Sequence, residues 1–219
     1  MGIEYNILIM NTLAKKTQGL YNAIAVPYNE AFPIHNHPEH RQFFIDRLRQ
    51  GARILDAGCA GGRDTNFFSE KSFNATGIDF SAGEIAYAKT KYPNVDFREA
   101  DLLRLPEIFP RAEFDGVYTY ATLDHLRKRD IPRVVGNFNL ILKMNGVLLL
   151  CTRKGKGVLW TDDNYSLHKK RRFTLMESDE LQQMLRRKGF DIDQFETFPS
   201  LTRKNMEFNL ALCRKIKDI

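Results

Sequence analysis

The sequence lacks the features that mark membrane and secreted proteins. No apolar run in its 219 residues approaches the length that crosses a bilayer. It has only three cysteines, at unrelated spacings, which excludes a disulfide framework and favours reduced thiols. The first residues lack the basic segment and the cleavage site of a secretory signal peptide. These absences predict a cytoplasmic globular protein that does not bind membranes.

The composition also lacks extremes. Hydrophobic residues make up 43% and charged residues 27%, values typical of a folded domain and not of a disordered chain. We find no internal repeat and no low-complexity segment, so a single domain over residues 1–219 is expected. The net charge of +6 is a modest excess for this length, which makes nucleic acid a less favoured partner than a small molecule.

Seven short apolar segments alternate with helical patterns along most of the chain. The predicted strands are "RILDAG", "NATGIDF", "NVDFREA", "FDGVYTY", "VLLLCT", "FDIDQFETF" and "MEFNLALC". Alternation of strands and helices implies right-handed crossovers and a parallel sheet. No helix fits between the last two strands, so they should form an antiparallel hairpin. The predicted fold is α/β: a Rossmann-like, doubly wound, seven-stranded sheet, mostly parallel, with a C-terminal antiparallel hairpin.

A turn of small residues follows the first strand, in "ILDAGCAGGRDT". Small residues at 58, 60 and 62 allow a ligand to approach the backbone closely. The pattern D-x-G-x-A-x-G differs from the dinucleotide pattern G-x-G-x-x-G, and its first acid, Asp56, would repel phosphate but suit a cationic amino acid. Asp79 ends the second strand, where a carboxylate can bind ribose hydroxyls, and Asp101 follows the third. These residues together suit a nucleoside with a positively charged amino-acid tail.

At this point the chain resembles the class I S-adenosylmethionine-dependent methyltransferases, over roughly residues 20–213. The resemblance is carried by "ILDAGCAGGRDT", "GIDFS", "FREADLLRLP", "FDGVYTYATLDHL" and "LILKMNGVLLLCTRKGKG", in that order. It implies S-adenosylmethionine as cofactor and S-adenosylhomocysteine as product. It also implies three parts: an N-terminal helical cap (1–50), a cofactor-binding core (51–152), and a substrate-side loop, last helix and hairpin (153–219).

The resemblance assigns the methionine end of the cofactor to the first turn. Gly58 and Gly62 would cradle the methionine moiety, with Cys59 and Ala60 in the same turn, and Asp56 would orient it through backbone or water. Ala60 replaces the middle glycine of the family, a change that we expect to be tolerated if its φ is negative.

The adenosine end and the cover of the site are assigned in the same way. The resemblance implies these roles: Asp79 binds the ribose hydroxyls, Phe80 flanks the adenine, Asp101 and the amide of Leu102 read the adenine edge, Tyr120 lies near the sulfonium or the methionine carboxylate, and Tyr28 closes over the cofactor.

Histidines offer two further hypotheses. His125 follows the fourth strand and is a candidate general base, although a packing or capping role is the alternative. His35, His37 and His40 lie together in "HNHPEH", but no fourth ligand at a suitable spacing is evident, so we expect no metal site.

The acceptor should be chosen by the segment 153–172, which holds seven Lys or Arg against Asp162 and Asp163, together with Trp160 and Tyr165. Such a segment is a solvated face or a grip for an acidic or planar acceptor. A small-molecule methyltransferase is the leading hypothesis. An RNA methyltransferase of the tRNA wobble type and a cofactor-binding regulatory protein without turnover are the alternatives. A monomer or a homodimer is expected.

Overall fold

The computed structural model describes residues 2–31, 37–162, 170–201 and 203–219, with side chains from residue 13 onward. Its helices are α1 (Gly2–Ala31), α2 (Pro38–Ile45), α3 (Arg63–Glu70), α4 (Ala82–Lys91), α5 (Leu105–Ile108), α6 (Ile131–Ile141) and α7 (Ser178–Arg187). Its strands are β1 (Arg53–Ala57), β2 (Asn74–Asp79), β3 (Asp96–Glu99), β4 (Phe114–Tyr120), β5 (Leu142–Arg153), β6 (Val158–Asp162), β7 (Lys170–Thr174), β8 (Phe190–Pro199) and β9 (Glu207–Lys215).

Seven of these strands form one sheet in the order β3-β2-β1-β4-β5-β9-β8. The first five pair in parallel, whereas β9 runs antiparallel to both β5 and β8. The predicted fold, including the C-terminal hairpin, is therefore confirmed. The strand order reverses direction between β1 and β4, which is where open parallel sheets bind ligands.

The sheet is covered on both faces. On one face, α6 and α7 bury a large cluster that includes Val134, Phe138 and Leu185. On the other face, α2 and α3 contribute Phe44 and Phe68 to a second cluster. This double cover explains why the central strands are apolar on both sides. Among the described residues, no helix is long and apolar enough to cross a membrane.

Two local predictions differ from the structure. The segment after β5 is not simply a loop: β6 and β7 pair antiparallel in a separate two-stranded sheet. The sequence predicts a helix that is capped by Asp130 and ends at the turn Asn145-Gly146, but α6 ends at Ile141. The reason is that Leu142 is fully buried and pairs with Phe114 of β4, which draws the chain into an extended conformation early.

Candidate active site

A cavity of about 1220 Å³ lies at the carboxyl ends of β1, β2 and β4, beneath α1. Its size exceeds the roughly 300–1,000 Å³ that a single small ligand fills, so it can hold two ligands side by side. The predicted site residues on its wall are Tyr28, Gly58, Cys59, Ala60, Asp79, Phe80, Asp101, Leu102, Tyr120 and His125. Asp56 and Gly62 are not among its lining residues.

The turn after β1 is held in an unusual backbone conformation. Gly58 has a φ of 89°, and a Cβ there would lie 2.1 Å from Thr122, so only glycine fits. Ala60 has a φ of 45°, so the condition of a negative angle, under which the alanine was expected to be tolerated, is not met. The left-handed conformation costs alanine energy, and the hydrogen bond from its amide to Asp79 Oδ2, at 3.0 Å, fixes it there.

Gly62 and Asp56 lie below this turn. Gly62 has a φ of 82° and begins α3, and a Cβ there would lie 2.5 Å from the ring of Phe97. The Asp56 carboxylate accepts a hydrogen bond from Thr65 Oγ1 at 2.6 Å. Burial, together with the nearby Asp64 carboxylate, raises the pKa of Asp56 to about 8. This shift favours the neutral form of the carboxyl.

Asp79 is the central acid of the site. Its Oδ2 accepts from the Ala60 amide, and its Oδ1 accepts from the Ser81 amide at 2.8 Å. Each oxygen keeps a second lone pair for a ligand hydroxyl. Burial raises the pKa of Asp79, while the backbone hydrogen bonds favour the charged form.

Residues suited to a flat base continue the wall from Asp79. The Phe80 ring is 36% exposed beside the cavity. Asp101 accepts from the Leu103 amide with Oδ1 at 2.9 Å and also lines the cavity. Leu102 is the first residue of a short 3-10 helix, so its amide has no hydrogen-bond acceptor within that helix.

Helix α1 contributes polar contacts that the sequence did not reveal. Asn29 Oδ1 accepts from the Gly61 amide at 3.2 Å, and its amide nitrogen donates to Glu84 at 2.5 Å. Asn22 Oδ1 accepts from the Ser81 hydroxyl and from the Gly83 amide. These asparagines tie α1 to the turns after β1 and β2. No local pattern in the sequence marks them, because their partners lie more than thirty residues away.

His125 is paired with Tyr21, which the sequence also did not reveal. The Tyr21 hydroxyl lies 3.1 Å from His125 Nε2, and the main chain of Arg172 hydrogen-bonds the same imidazole. Burial, together with the nearby Arg153 and Arg171 guanidinium groups, lowers the pKa of His125 to about 3. A neutral ring with its hydrogen bonds already made is suited to holding Tyr21 in place and is a weak base.

Two arginines form a basic wall opposite the turn. Arg153 ends β5, forms an ion pair with the fully buried Asp124, and lies 3.8 Å above the Phe173 ring. Arg171 on β7 is 7% exposed, lines the cavity and hydrogen-bonds the Tyr21 hydroxyl. Burial raises the pKa of Tyr21, so the hydroxyl keeps its proton.

Tyr120 lies at the third side of the cavity, next to the start of α2. Its hydroxyl lies 3.1 Å from His40 Nδ1, and the rings of His37 and His40 stack with centroids 4.7 Å apart. Burial lowers the pKa of His40 to about 4. Burial also raises the pKa of Tyr120, so both groups are neutral near pH 7.

The basic segment 153–172 meets the cavity only in part. Arg153, Asp162 and Arg171 line it, whereas Trp160 is 57% exposed and is not a lining residue. His35, Asp163 and Tyr165 lie outside the described residues.

A family model described as a methyltransferase domain matches residues 34–194, which is most of the chain. The chain belongs to this methyltransferase family. The predicted membership among class I S-adenosylmethionine-dependent methyltransferases is thereby confirmed, and so is S-adenosylmethionine as the cofactor of the family. The fold neighbours agree with this assignment.

Two curated relatives illustrate the extent of the similarity. A probable S-adenosylmethionine-dependent methyltransferase of Mycolicibacterium smegmatis is 29% identical over 102 residues, covering 47% of this chain and 38% of that protein. A ubiquinone biosynthesis O-methyltransferase of Rhodopseudomonas palustris is 32% identical over 106 residues, covering 47% of this chain and 40% of that protein. The matches thus span less than half of these relatives.

Among solved structures, the 1,6-didemethyltoxoflavin-N1-methyltransferase of Burkholderia thailandensis is similar with a TM-score of 0.74 and 18% identity. The match covers 94% of this chain and 90% of that one, which was determined with its substrate and S-adenosylhomocysteine bound. At this identity the similarity shows the fold.

The cavity of this methyltransferase fits its cofactor on chemical grounds. Asp79 offers acceptor lone pairs for two ribose hydroxyls, and Phe80 offers an exposed aromatic face for a base. The strained turn at Gly58 and Ala60 places backbone, without bulky side chains, against the cavity. When bound, the cofactor supplies an electrophilic methyl group on a sulfonium.

Proposed function

We propose that this chain transfers the methyl group of S-adenosylmethionine to a small, planar acceptor that carries an acidic group. The observation that supports this proposal is a pair of arginines on the cavity wall: Arg171, which is buried, and Arg153, which is partly buried. Guanidinium groups bind carboxylates with paired hydrogen bonds, most strongly where water is excluded. The rings of Tyr21 and Tyr28 also line the cavity and suit a planar acceptor.

In this proposal the chain works mainly by positioning. The turn after β1, Asp79, Phe80, Asp101 and Leu102 hold the cofactor, with Gly62 and Asp56 supporting the turn from below. Tyr28 and Tyr120 flank the space between the cofactor and the arginines. A fixed, dry geometry for in-line displacement can supply most of the acceleration.

His125 is given a positioning role in this proposal. Its ring nitrogens bond Tyr21 and the Arg172 main chain, which fixes the hydroxyl that Arg171 also contacts. An acceptor that loses a proton easily, such as a carboxylate-bearing phenol, needs no strong base at this position.

The low exposure of the arginines favours a small molecule over RNA. RNA phosphates bind to exposed basic surfaces, whereas Arg171 is 7% exposed and the Arg153 side chain 14%. The Rhodopseudomonas and Burkholderia relatives are by name small-molecule methyltransferases, which supports the same choice. A cytoplasmic location is proposed as well, supported by three cysteines that the structure leaves unpaired and buried.

The test is transfer of label from methyl-labelled S-adenosylmethionine to a metabolite extract and to total RNA, each fractionated by charge. The proposal expects label in an anionic, ultraviolet-absorbing small-molecule fraction, with transfer lost in Arg171→Gln. Label in RNA, with transfer that falls steeply as salt rises, would contradict it. Tight cofactor binding without transfer to any fraction would contradict it too, in favour of a regulatory protein.

A further inference from the structure

Two histidines and a glutamate meet at the start of α2, on the rim of the cavity. His37 precedes the helix, and Glu39 and His40 lie in its first turn. Each of these residues places one nitrogen or oxygen ligand atom within 4.8 Å of the others. His37 Nδ1 already lies 2.7 Å from Glu39 Oε1.

We propose that His37, Glu39 and His40 bind a divalent transition-metal ion of the zinc type. Two imidazole nitrogens and one carboxylate oxygen suit Zn²⁺, Co²⁺ or Ni²⁺, and not Mg²⁺ or Ca²⁺, which prefer oxygen ligands. Three protein ligands leave a coordination position open, as in sites where the metal meets an exogenous ligand. This site does not depend on the identity of the methyl acceptor.

The groups around the cluster are those that orient metal ligands. His40 has a partner at both ring nitrogens: the Tyr120 hydroxyl is 3.1 Å from Nδ1, and the Glu196 carboxylate is 3.4 Å from Nε2. Whichever ring nitrogen of His40 binds the ion, the other already has a hydrogen-bonding or ion-pair partner. A carboxylate or hydroxyl in this outer position fixes the ring and strengthens the ligand.

Glu196 lies near the cluster in space but far from it in the sequence, so the spacing of residues could not reveal it. The expectation of no metal site rested on the absence of a fourth group near "HNHPEH". The fold brings Glu196 to the cluster from β8, more than 150 residues further along the chain. It lies on the cluster because the C-terminal hairpin forms the sheet edge next to α2.

Binding requires a small rearrangement of the rings. His37 and His40 are stacked with an interplanar angle of 13°, so a single ion does not lie in both ring planes as they stand. Bonds of about 2.0–2.1 Å hold two ligands of a tetrahedral ion about 3.3 Å apart. One ring must therefore turn out of the stack and change its edge-on contact with Phe198.

The ion's open position lies toward the methyl-transfer cavity. His37 and Tyr120 both line that cavity, with ring centroids 6.4 Å apart. The exogenous ligand expected at this position is an oxygen or nitrogen donor of a small molecule, since these are the donors that such ions take at an open site.

The experiment is calorimetric titration of the untagged full chain with ZnCl₂, and with CoCl₂ to follow visible d–d bands. We expect saturable one-to-one binding and the appearance of cobalt bands. His37→Gln and His40→Gln should each weaken zinc binding by at least ~100-fold, beyond the ~10–100-fold cost of an outer partner. Glu39→Gln, at an exposed carboxylate, should weaken it without affecting folding.

Asp46→Asn is the matched control, because this exposed acid lies just past the same helix and its carboxylate accepts a hydrogen bond from Gln42. It should bind zinc like the wild type. Absence of one-to-one binding, or equal zinc affinity in the wild type and in Glu39→Gln, would overturn the proposal. Binding of S-adenosylhomocysteine, measured on the same samples, reports separately on the cofactor site and should be equal in the wild type, Glu39→Gln and Asp46→Asn.

Discussion

The two halves of the cavity are built in different ways. The half that we propose for the cofactor is acidic and comes from three consecutive strands, because Gly58, Asp79 and Asp101 lie at or just past the ends of β1, β2 and β3. The half that we propose for the acceptor is basic and comes from segments far apart in the chain, among them Tyr21 and Arg171. The first half depends on backbone turns that have sequence patterns, whereas the second depends on side chains that only the fold brings together.

The largest expected effect is a loss of stability caused by a substitution in the acceptor half. Arg153→Met leaves the fully buried Asp124 without its cation, so the free energy of unfolding should fall by about 3–5 kcal/mol. Urea denaturation measures this change. A loss below 1 kcal/mol would show that Thr152 and the Arg153 main chain satisfy Asp124 without the guanidinium.

A second change breaks the cofactor half. Asp79→Ala removes the acceptor of the ribose hydroxyls and the partner of the Ala60 amide, so binding of S-adenosylhomocysteine should weaken by roughly 1–3 kcal/mol. Calorimetry gives the affinity directly. If the affinity is unchanged, the ribose is not at Asp79.

A third change separates the two halves. Arg171→Gln should reduce methyl transfer to the anionic acceptor fraction at least ~10-fold, because a charged hydrogen bond contributes about 1.5–3 kcal/mol. It should leave affinity for S-adenosylhomocysteine within about twofold, in contrast to Asp79→Ala. Arg172→Gln is the matched control, since Arg172 bonds Thr174 and is not a cavity-lining residue. Equal transfer in both variants would remove Arg171 from acceptor binding.

A fourth change tests the neutral state of His125. Its pKa is about 3 in the folded protein and near 6.5 when unfolded, so the unfolded chain binds the extra proton between these values. The contribution of neutral His125 to the free energy of unfolding is complete above pH 6.5 and is lost as the pH falls toward 3. The wild type should lose up to about 1 kcal/mol per pH unit more than His125→Gln in this window. Parallel plots of the free energy of unfolding against pH for the two proteins would mean that the pKa of His125 is the same in the folded and unfolded chain.

The smallest expected effect concerns the strained turn. Ala60→Gly relieves a left-handed alanine that costs ~1–2 kcal/mol, part of which is offset by the greater freedom of glycine when unfolded. A net gain of about 0.5 kcal/mol in unfolding free energy is expected. Ala112→Gly, at a φ of 52° outside the cavity, should give a similar gain and serves as the control. Loss of stability in Ala60→Gly alone would point to a contact of the Ala60 methyl group.

The contrast between the two halves of the cavity also explains which features could be predicted from the sequence. The seven strands of the main sheet and the turn at Gly58 follow from local periodicity and from a backbone angle that only glycine adopts easily, so both are visible in the sequence. The end of α6 at Ile141 was missed because pairing of Leu142 with Phe114 is a contact between distant segments. The bond from Asn29 to Gly61 was missed for the same reason.

The positive φ of Ala60 shows a further limit of sequence patterns. The alanine was expected to be tolerated if its φ were negative, but its φ is positive, and the Asp79 carboxylate holds the amide in the left-handed region. Tertiary hydrogen bonds here outweigh a local preference of about 1–2 kcal/mol.

A crystal structure of the complex with S-adenosylhomocysteine is the most direct test of the division into two halves. The ribose hydroxyls are expected on Asp79, the adenine between Phe80 and Asp101, and the thioether sulfur directed toward the space in front of Arg171. Adenosine bound against Arg171, or a ribose without contact to Asp79, would contradict it.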